Sequence, residues 1–343
     1  MGGYKLGAGV DRMAGIDWTR RGLARAVTAA LISAVAGPGQ AQVEPPPNAP
    51  SPNAPPATAL PPGSIGTGLD EADRMTVPVL INGQGPYPFV VDTGAERSAV
   101  SAELAAELML VPGPPMVVHG VAGALVTPSV VVDSLSVGGR RMDNPTLPLL
   151  SAANIGAMGV LGIDAVRDQR VSLDFVNKRI VVSPTAVRDH AFTDIVVRAK
   201  SRFGQLVLVD SYFQQHTVLV VIDTGAQNTI GNNALRARVQ HESLSGPPHA
   251  DIFSVTGQST TGDWALISAV HVGGFEMSHL PVLFSDLHSF ERWRLQDQPA
   301  LLLGMDVLRQ FETVDIDFPR REVRFHNLMT PGRRLTSKGS RLG

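Results

Sequence analysis

Two aspartates could do acid–base chemistry together. Asp92 closes the apolar run in FVVDTGAERSAV, and Asp223 closes the one in VVIDTGAQNTIG, 131 residues later (223 − 92). A carboxylate at the end of a buried strand is costly unless it is hydrogen-bonded or protonated. The residues that follow can meet that cost. Thr93 and Thr224 bring hydroxyls, while Gly94 and Gly225 permit a tight turn whose backbone N–H groups lie close to the carboxylate. One such turn is weak evidence, since Asp-containing turns are common structural devices. Two copies on related halves say more, because halves packed about a pseudo-twofold axis can bring equivalent residues together. Carboxylates that meet cannot both ionise easily, so they share a proton and form a base beside an acid. Such a pair can deprotonate a water, direct it at a carbonyl and protonate the carbonyl oxygen.

The elements around these aspartates also come twice and in the same order. GVAGAL at Gly120 is followed later by SVTGQS at Ser254, and SLSVGG ending at Gly139 by AVHVGG ending at Gly274. GVLGIDAVRDQRVSLDF from Gly159 is matched by LLLGMDVLRQFETVDIDF from Leu301. The copy offsets grow from 131 at the aspartates to 142 at Gly162 and Gly304 (304 − 162), which places insertions in loops. Each copy reads mainly as strands, with β-branched enrichment in VVIDTG, SVVVDSLSV and KRIVV. Short helices are predicted at SAELAAELML, capped by Ser101, and after each Leu-Gly, at IDAVRDQ and MDVLRQF.

Composition agrees with many short strands and tight turns: 34 glycines and 26 prolines among 343 residues, with few aromatics. The formal charge of −2 and the lack of a basic run in the folded part give no sign of a nucleic-acid partner. The chain has no cysteine, which excludes disulfides and thiolate catalysis.

VVDTGA and VIDTGA, each followed by an apolar-apolar-Gly motif (VLG and LLG), resemble the signatures of retropepsin-type aspartic peptidases. The likeness extends over residues 70–327 and suggests two such units fused in one chain, the arrangement of pepsin-like enzymes. It implies a mostly-β, bilobal fold with two related β-barrel-like lobes, short helices and a central cleft. By resemblance, Asp92 and Asp223 match the catalytic aspartates, and Thr93 and Thr224 the threonines that interlock the loops. Gly94, Ala95, Gly225 and Ala226 complete those loops, and Gly162 and Gly304 match the glycines beneath them. Gly120, Val121, Ala122 and Gly123 match a substrate-covering flap, with Thr256 and Gly257 in its counterpart. No pepsin-type flap tyrosine is visible, and which flap closes stays open.

Ala95 and Ala226 stand where pepsin-like enzymes usually carry Ser or Thr, whose hydroxyl stabilises the charged carboxylate. Without it the dyad should hold its proton to higher pH, extending activity toward weak acidity.

The resemblance implies an aspartic endopeptidase with no cofactor and no metal, acting as a monomer on an extended peptide in the cleft. A catalytically inactive peptide-binding protein of the same fold is the alternative, and pairing of each half with its twin in another molecule is a further rival. No His-Glu-x-x-His or Gly-x-Ser-x-Gly motif is present, and His241, His249, His271 and His279 read as loop or strand-surface residues. Asp164 and Asp306 read as caps or dipole partners of short helices, and Asp174 and Asp317 as outward or turn-facing. LMLVPGPPMVV reads as a loop over the first lobe, because its prolines break any helix.

The expected domains are an export signal at 1–41, a Pro-rich linker at 42–68, lobes at 69–187 and 188–328, and a basic tail at 329–343. Arg20, Arg21 and Arg25 lead into the apolar run Ala26 to Ala36 and then small residues, a Sec or twin-arginine pattern. The expected location is the periplasm, with membrane contact only through an uncleaved signal.

Overall fold

The computed structural model describes residues 64–66, 68–69, 75–138, 140–185, 195–202, 205–208, 211–239, 241–243, 249–273 and 275–329. The export signal, most of the linker, nearly all of the basic tail, and Gly139 and Gly274 of the two Gly-Gly turns lie outside them. Ser64–Gly66, within the segment read as linker, pairs with Arg179–Ser183.

The fold is mostly β and bilobal, with few and short helices. In the first lobe Gln84–Val91 delivers the chain to Asp92, and Ala99–Ser101 carries it away. Gly159–Leu161 lies between them, parallel to the incoming strand and antiparallel to the outgoing one. The second lobe repeats the pattern: Leu219–Ile222 leads to Asp223, Ile230–Gly231 leads away, and Ala300–Leu303 lies between. Both central strands are short and fully buried, which explains why they read as unbroken apolar runs rather than alternating ones.

One antiparallel sheet joins the lobes. Its strands run in the order Ser64–Gly66, Arg179–Ser183, Arg170–Asp174, Phe311–Asp317, Glu322–Leu328 and Ile195–Arg202. The chain copies meet where Arg170–Asp174 pairs with Phe311–Asp317, Ser172 standing opposite Asp315. One face of that pairing carries Val171, Leu173, Val314 and Ile316, each almost fully buried. Cross-strand pairs and apolar burial thus fix the lobes side by side.

Each lobe also projects a hairpin. The first pairs Val111–Gly120 with Gly123–Val131, and the second pairs His249–Phe253 with the start of Ser259–Val272. The first corrects the sequence reading of LMLVPGPPMVV. Residues 111–120 form a strand, irregular between Gly113 and Met116, at the edge of its sheet. An edge strand needs fewer ladder donors, so it accommodates prolines that a central strand could not.

Ser101 caps the helix Ala102–Glu107 as expected, its Oγ accepting from Leu104 N at 3.1 Å. Asp174 and Asp317 are turn-facing but not outward. Asp174 accepts from the Asn177 backbone and side chain, Asp317 accepts from Arg320 N, and both are buried.

Candidate active site

The two Asp-Thr-Gly-Ala loops are built alike. Gly94 N and Ala95 N donate to Asp92 Oδ1 at 2.8 and 3.1 Å. Gly225 N and Ala226 N donate to Asp223 Oδ1 at 2.9 and 3.2 Å. The turn that glycine permits therefore aims two backbone donors at each carboxylate. Below, Asp92 N donates to Leu161 O and Asp223 N to Leu303 O, tying each aspartate to its central strand.

Two threonines lock the loops to each other. Thr93 N donates to Thr224 Oγ1 at 3.0 Å, and Thr224 N donates to Thr93 Oγ1 at 3.1 Å. Each hydroxyl passes its own proton across the lobe boundary, Thr93 Oγ1 to Ile222 O at 2.9 Å and Thr224 Oγ1 to Val91 O at 2.8 Å. Both residues are buried, so all four bonds are sheltered from water.

The interlock brings the carboxyl groups together, and Asp92 and Asp223 share a side-chain hydrogen bond. A Cβ added to Gly94 would stand 2.8 Å from the Asp223 Cγ, and one on Gly225 would collide with the Asp92 carboxyl. Glycine at these two positions is therefore what lets each carboxyl sit against the opposite loop. Asp92 is half-buried and Asp223 is buried. Burial, then the neighbouring Asp92 charge, pushes the Asp223 carboxyl up to about 8. Burial and the neighbouring carboxyl thus favour a proton held by the pair, which titrates as a unit.

A further layer of support escaped the sequence reading. Ser98 Oγ donates to Asp164 Oδ1 at 2.7 Å and accepts from Gly162 N at 3.1 Å. Thr229 Oγ1 donates to Asp306 Oδ1 at 2.7 Å and accepts from Gly304 N at 3.1 Å. The helix caps are Gly162 and Gly304; Asp164 and Asp306 stand in the first turns, where acids suit the helix dipole, and they also brace the loops. Burial pushes the Asp306 carboxyl up, against the bonds it accepts from Thr229 and Val307. Gly162 and Gly304 pack against the loop backbones. A Cβ on Gly162 would lie 2.5 Å from the Arg97 carbonyl carbon, and one on Gly304 2.6 Å from that of Asn228. The brace was recoverable in principle, since each copy places a hydroxyl six residues after its loop aspartate (Ser98, Thr229) and an acid two residues after its glycine (Asp164, Asp306).

The structure brings the hairpin tips to each other as well. A Cβ on Gly120 would strike Ser254 Oγ, and one on Gly123 would lie 2.9 Å from Gln258 Oε1. Gly257 packs against Asn154 of the first lobe. Val118 and Val255, one from each hairpin, pack with Ala95 on a cluster formed by Ala99, Leu150, Ile155 and Val160. Val121 packs instead on the second lobe's cluster, which includes Ile252 and Leu287. Ser254 and Thr256 hydroxyls bond at 2.8 Å, and Thr256 Oγ1 donates to Gln258 Oε1 at 3.2 Å. Gly120, Val121, Ala122, Gly123, Thr256 and Gly257 thus lie at the two hairpin tips.

The family model for aspartyl proteases matches the chain twice, at residues 77–165 and 209–307. No curated protein matches it. Both matches contain an Asp-Thr-Gly-Ala loop and the Leu-Gly strand beneath it. The chain belongs to the aspartyl protease family, as two retropepsin-like units joined in one polypeptide.

Proposed function

We propose that the protein is an aspartic endopeptidase whose base and acid are Asp92 and Asp223. The observation that carries this reading is the threonine interlock that sets the Asp92 and Asp223 carboxyls against each other's loops, where burial and the Asp92 charge push the Asp223 carboxyl up. A peptide lies extended beneath the hairpin tips, held in part by strand-like backbone bonds. Asp92 takes a proton from water as the water oxygen attacks the scissile carbonyl, and Asp223 gives its proton to the carbonyl oxygen. The tetrahedral diol collapses as Asp92 returns its proton to the amide nitrogen. Asp223 regains a proton from the diol, so both groups end as they began. Every transferred proton stays within the pair, water and peptide, and no cofactor is required.

Export is part of the proposal and rests on the basic and apolar pattern of residues 20–41. N-terminal sequencing of the secreted protein should begin after the small residues near Ala41.

A defined peptide mixture, analysed by mass spectrometry, tests the catalytic reading. The wild-type protein should yield new internal termini, and Asp92→Asn and Asp223→Asn should yield none while keeping the fold. Binding without cleavage by the wild-type protein across a pH series would instead indicate the inactive peptide binder.

A further inference from the structure

The two hairpins are held down by different chemistry. At the foot of the first tip, His119 Nδ1 and His288 Nε2 are 2.9 Å apart. Their rings lie nearly parallel, with centroids 5.2 Å apart and 13° between planes, so they meet edge to edge through the two nitrogens. His288 opens the second-lobe helix His288–Arg292, and its backbone N–H donates to Val121 O at 2.9 Å. The same residue thus grips the first hairpin through both backbone and ring. The second hairpin places Phe253 just before its tip Ser254, where the first places His119 just before Gly120. Phe253 is 77% exposed, and the side-chain bonds within its tip come from Ser254, Thr256 and Gln258, all uncharged.

We propose that His119 and His288 form a proton-operated latch that keeps the first hairpin against the second lobe until both rings are protonated. A nitrogen-to-nitrogen hydrogen bond needs one donor and one lone pair. With both rings neutral, or only one protonated, the bond survives. A second proton removes the last lone pair and leaves two cations edge to edge, so the contact becomes repulsive. The charged groups facing the pair are Glu291 and Arg292 on the helix and Glu96 on the loop after Asp92. Glu291 lies 3.4 Å from His288 Nδ1, and Arg292 lies 3.8 Å from Glu96. The hairpin strands themselves bring no charge besides His119. Asp286, just before the helix, is engaged with Asn233. Arg292 and a charged His288 oppose a proton on His119, and Glu96 favours it. Partial burial, Arg292 and His288 hold His119 below its ordinary value, so release belongs on the acid side of the usual imidazole range. This rests on the reading of the hairpins as covers of the active site. It makes access to the site pH-dependent through the first hairpin.

The test reads hairpin position directly and needs no turnover. Because the chain has no native cysteine, Val117→Cys and Gln296→Cys give two unique spin-label sites. Val117 lies on the exposed face of the hairpin and Gln296 on the exposed surface of the second lobe. Double electron–electron resonance is run from pH 4 to 8 in an Asp223→Asn background, which removes the shared dyad proton and any self-cleavage. The distance should be short and narrow at pH 8 and lengthen in acid, the open-to-closed ratio rising at most about tenfold per pH unit for one coupled proton. His119→Phe, which copies the other hairpin, and His288→Gln should each abolish that pH response. A distance that stays constant with pH, or a response that persists in both variants, would overturn the latch. Neither result depends on peptide cleavage, so failure of the latch and failure of the peptidase reading are separable.

Discussion

The two halves of this molecule are nearly identical at their loops and different at their hairpins. Around Asp92 and Asp223 each bond has its counterpart: two backbone donors per carboxylate, one crossing pair of threonine bonds, one hydroxyl–acid brace. At the tips one hairpin is bonded to the opposite lobe through an imidazole pair, while the other rests on the opposite lobe through Val255 and bonds its neutral hydroxyl and amide groups to one another. A dyad works only if the opposing carboxyls meet at bonding distance, which leaves the loops no latitude. As proposed covers of the site, the hairpins need only close over it, and that requirement admits more than one set of contacts.

The largest predicted effect breaks the loop symmetry at its centre. Asp92→Asn or Asp223→Asn should lower kcat/KM by at least ~10²–10⁴-fold, the usual contribution of a positioned acid–base group. Asp223→Asn should also raise thermal stability at neutral pH. The folded state holds a proton on Asp223 up to about 8, whereas an unfolded aspartate loses it near 3.8. Between those values the native state binds more protons, so wild-type stability falls as pH rises and the neutral amide escapes that loss. Melting curves across this window check the sign.

Thr93→Ala and Thr224→Ala should be next in size. Each leaves a buried backbone N–H without its hydroxyl acceptor and a carbonyl without its donor, at ~1–3 kcal/mol per stranded group. Chemical denaturation should give similar losses for the two, and strongly unequal losses would contradict the symmetry of the grip.

Removing the brace should cost less. Asp306→Ala should destabilise by about 1–3 kcal/mol, and Asp306→Asn by less, since an amide oxygen can still accept from Thr229. Asp164→Ala and Asp164→Asn should rank alike in the first lobe.

The smallest effects belong to the tips. Val121→Ser and Val255→Ser each remove an apolar contact that reaches across the lobe boundary, by resting on a cluster of the opposite lobe. We expect losses of roughly 1 kcal/mol or less, seen in KM rather than in global stability.

What could be read from the sequence follows the same division. The loops were legible because burying a carboxylate demands a hydroxyl and a glycine immediately after it, so the constraint is local and appears twice. Gly162 and Gly304 were legible for the same reason, since each follows an apolar strand in both copies. The brace was missed because Ser98 and Asp164 lie in separate elements, and a helix-head acid has a simpler local explanation. The prolines in 111–120 argue correctly against a helix but say nothing of a sheet edge. His119 and His288 are 169 residues apart and share no motif; only the packing of one hairpin on the opposite lobe joins them.

The central claim is that Asp92 and Asp223 act as a pair holding one proton. It is tested most directly by the pH dependence of kcat/KM for a cleaved peptide. Measuring it in the wild-type protein and in His119→Phe removes the latch from the comparison. The account predicts that both remain active in weak acid, with a basic limb as the shared proton is lost toward about 8. An optimum confined to strong acid in both proteins would contradict it, as would a profile unchanged by Asp223→Asn.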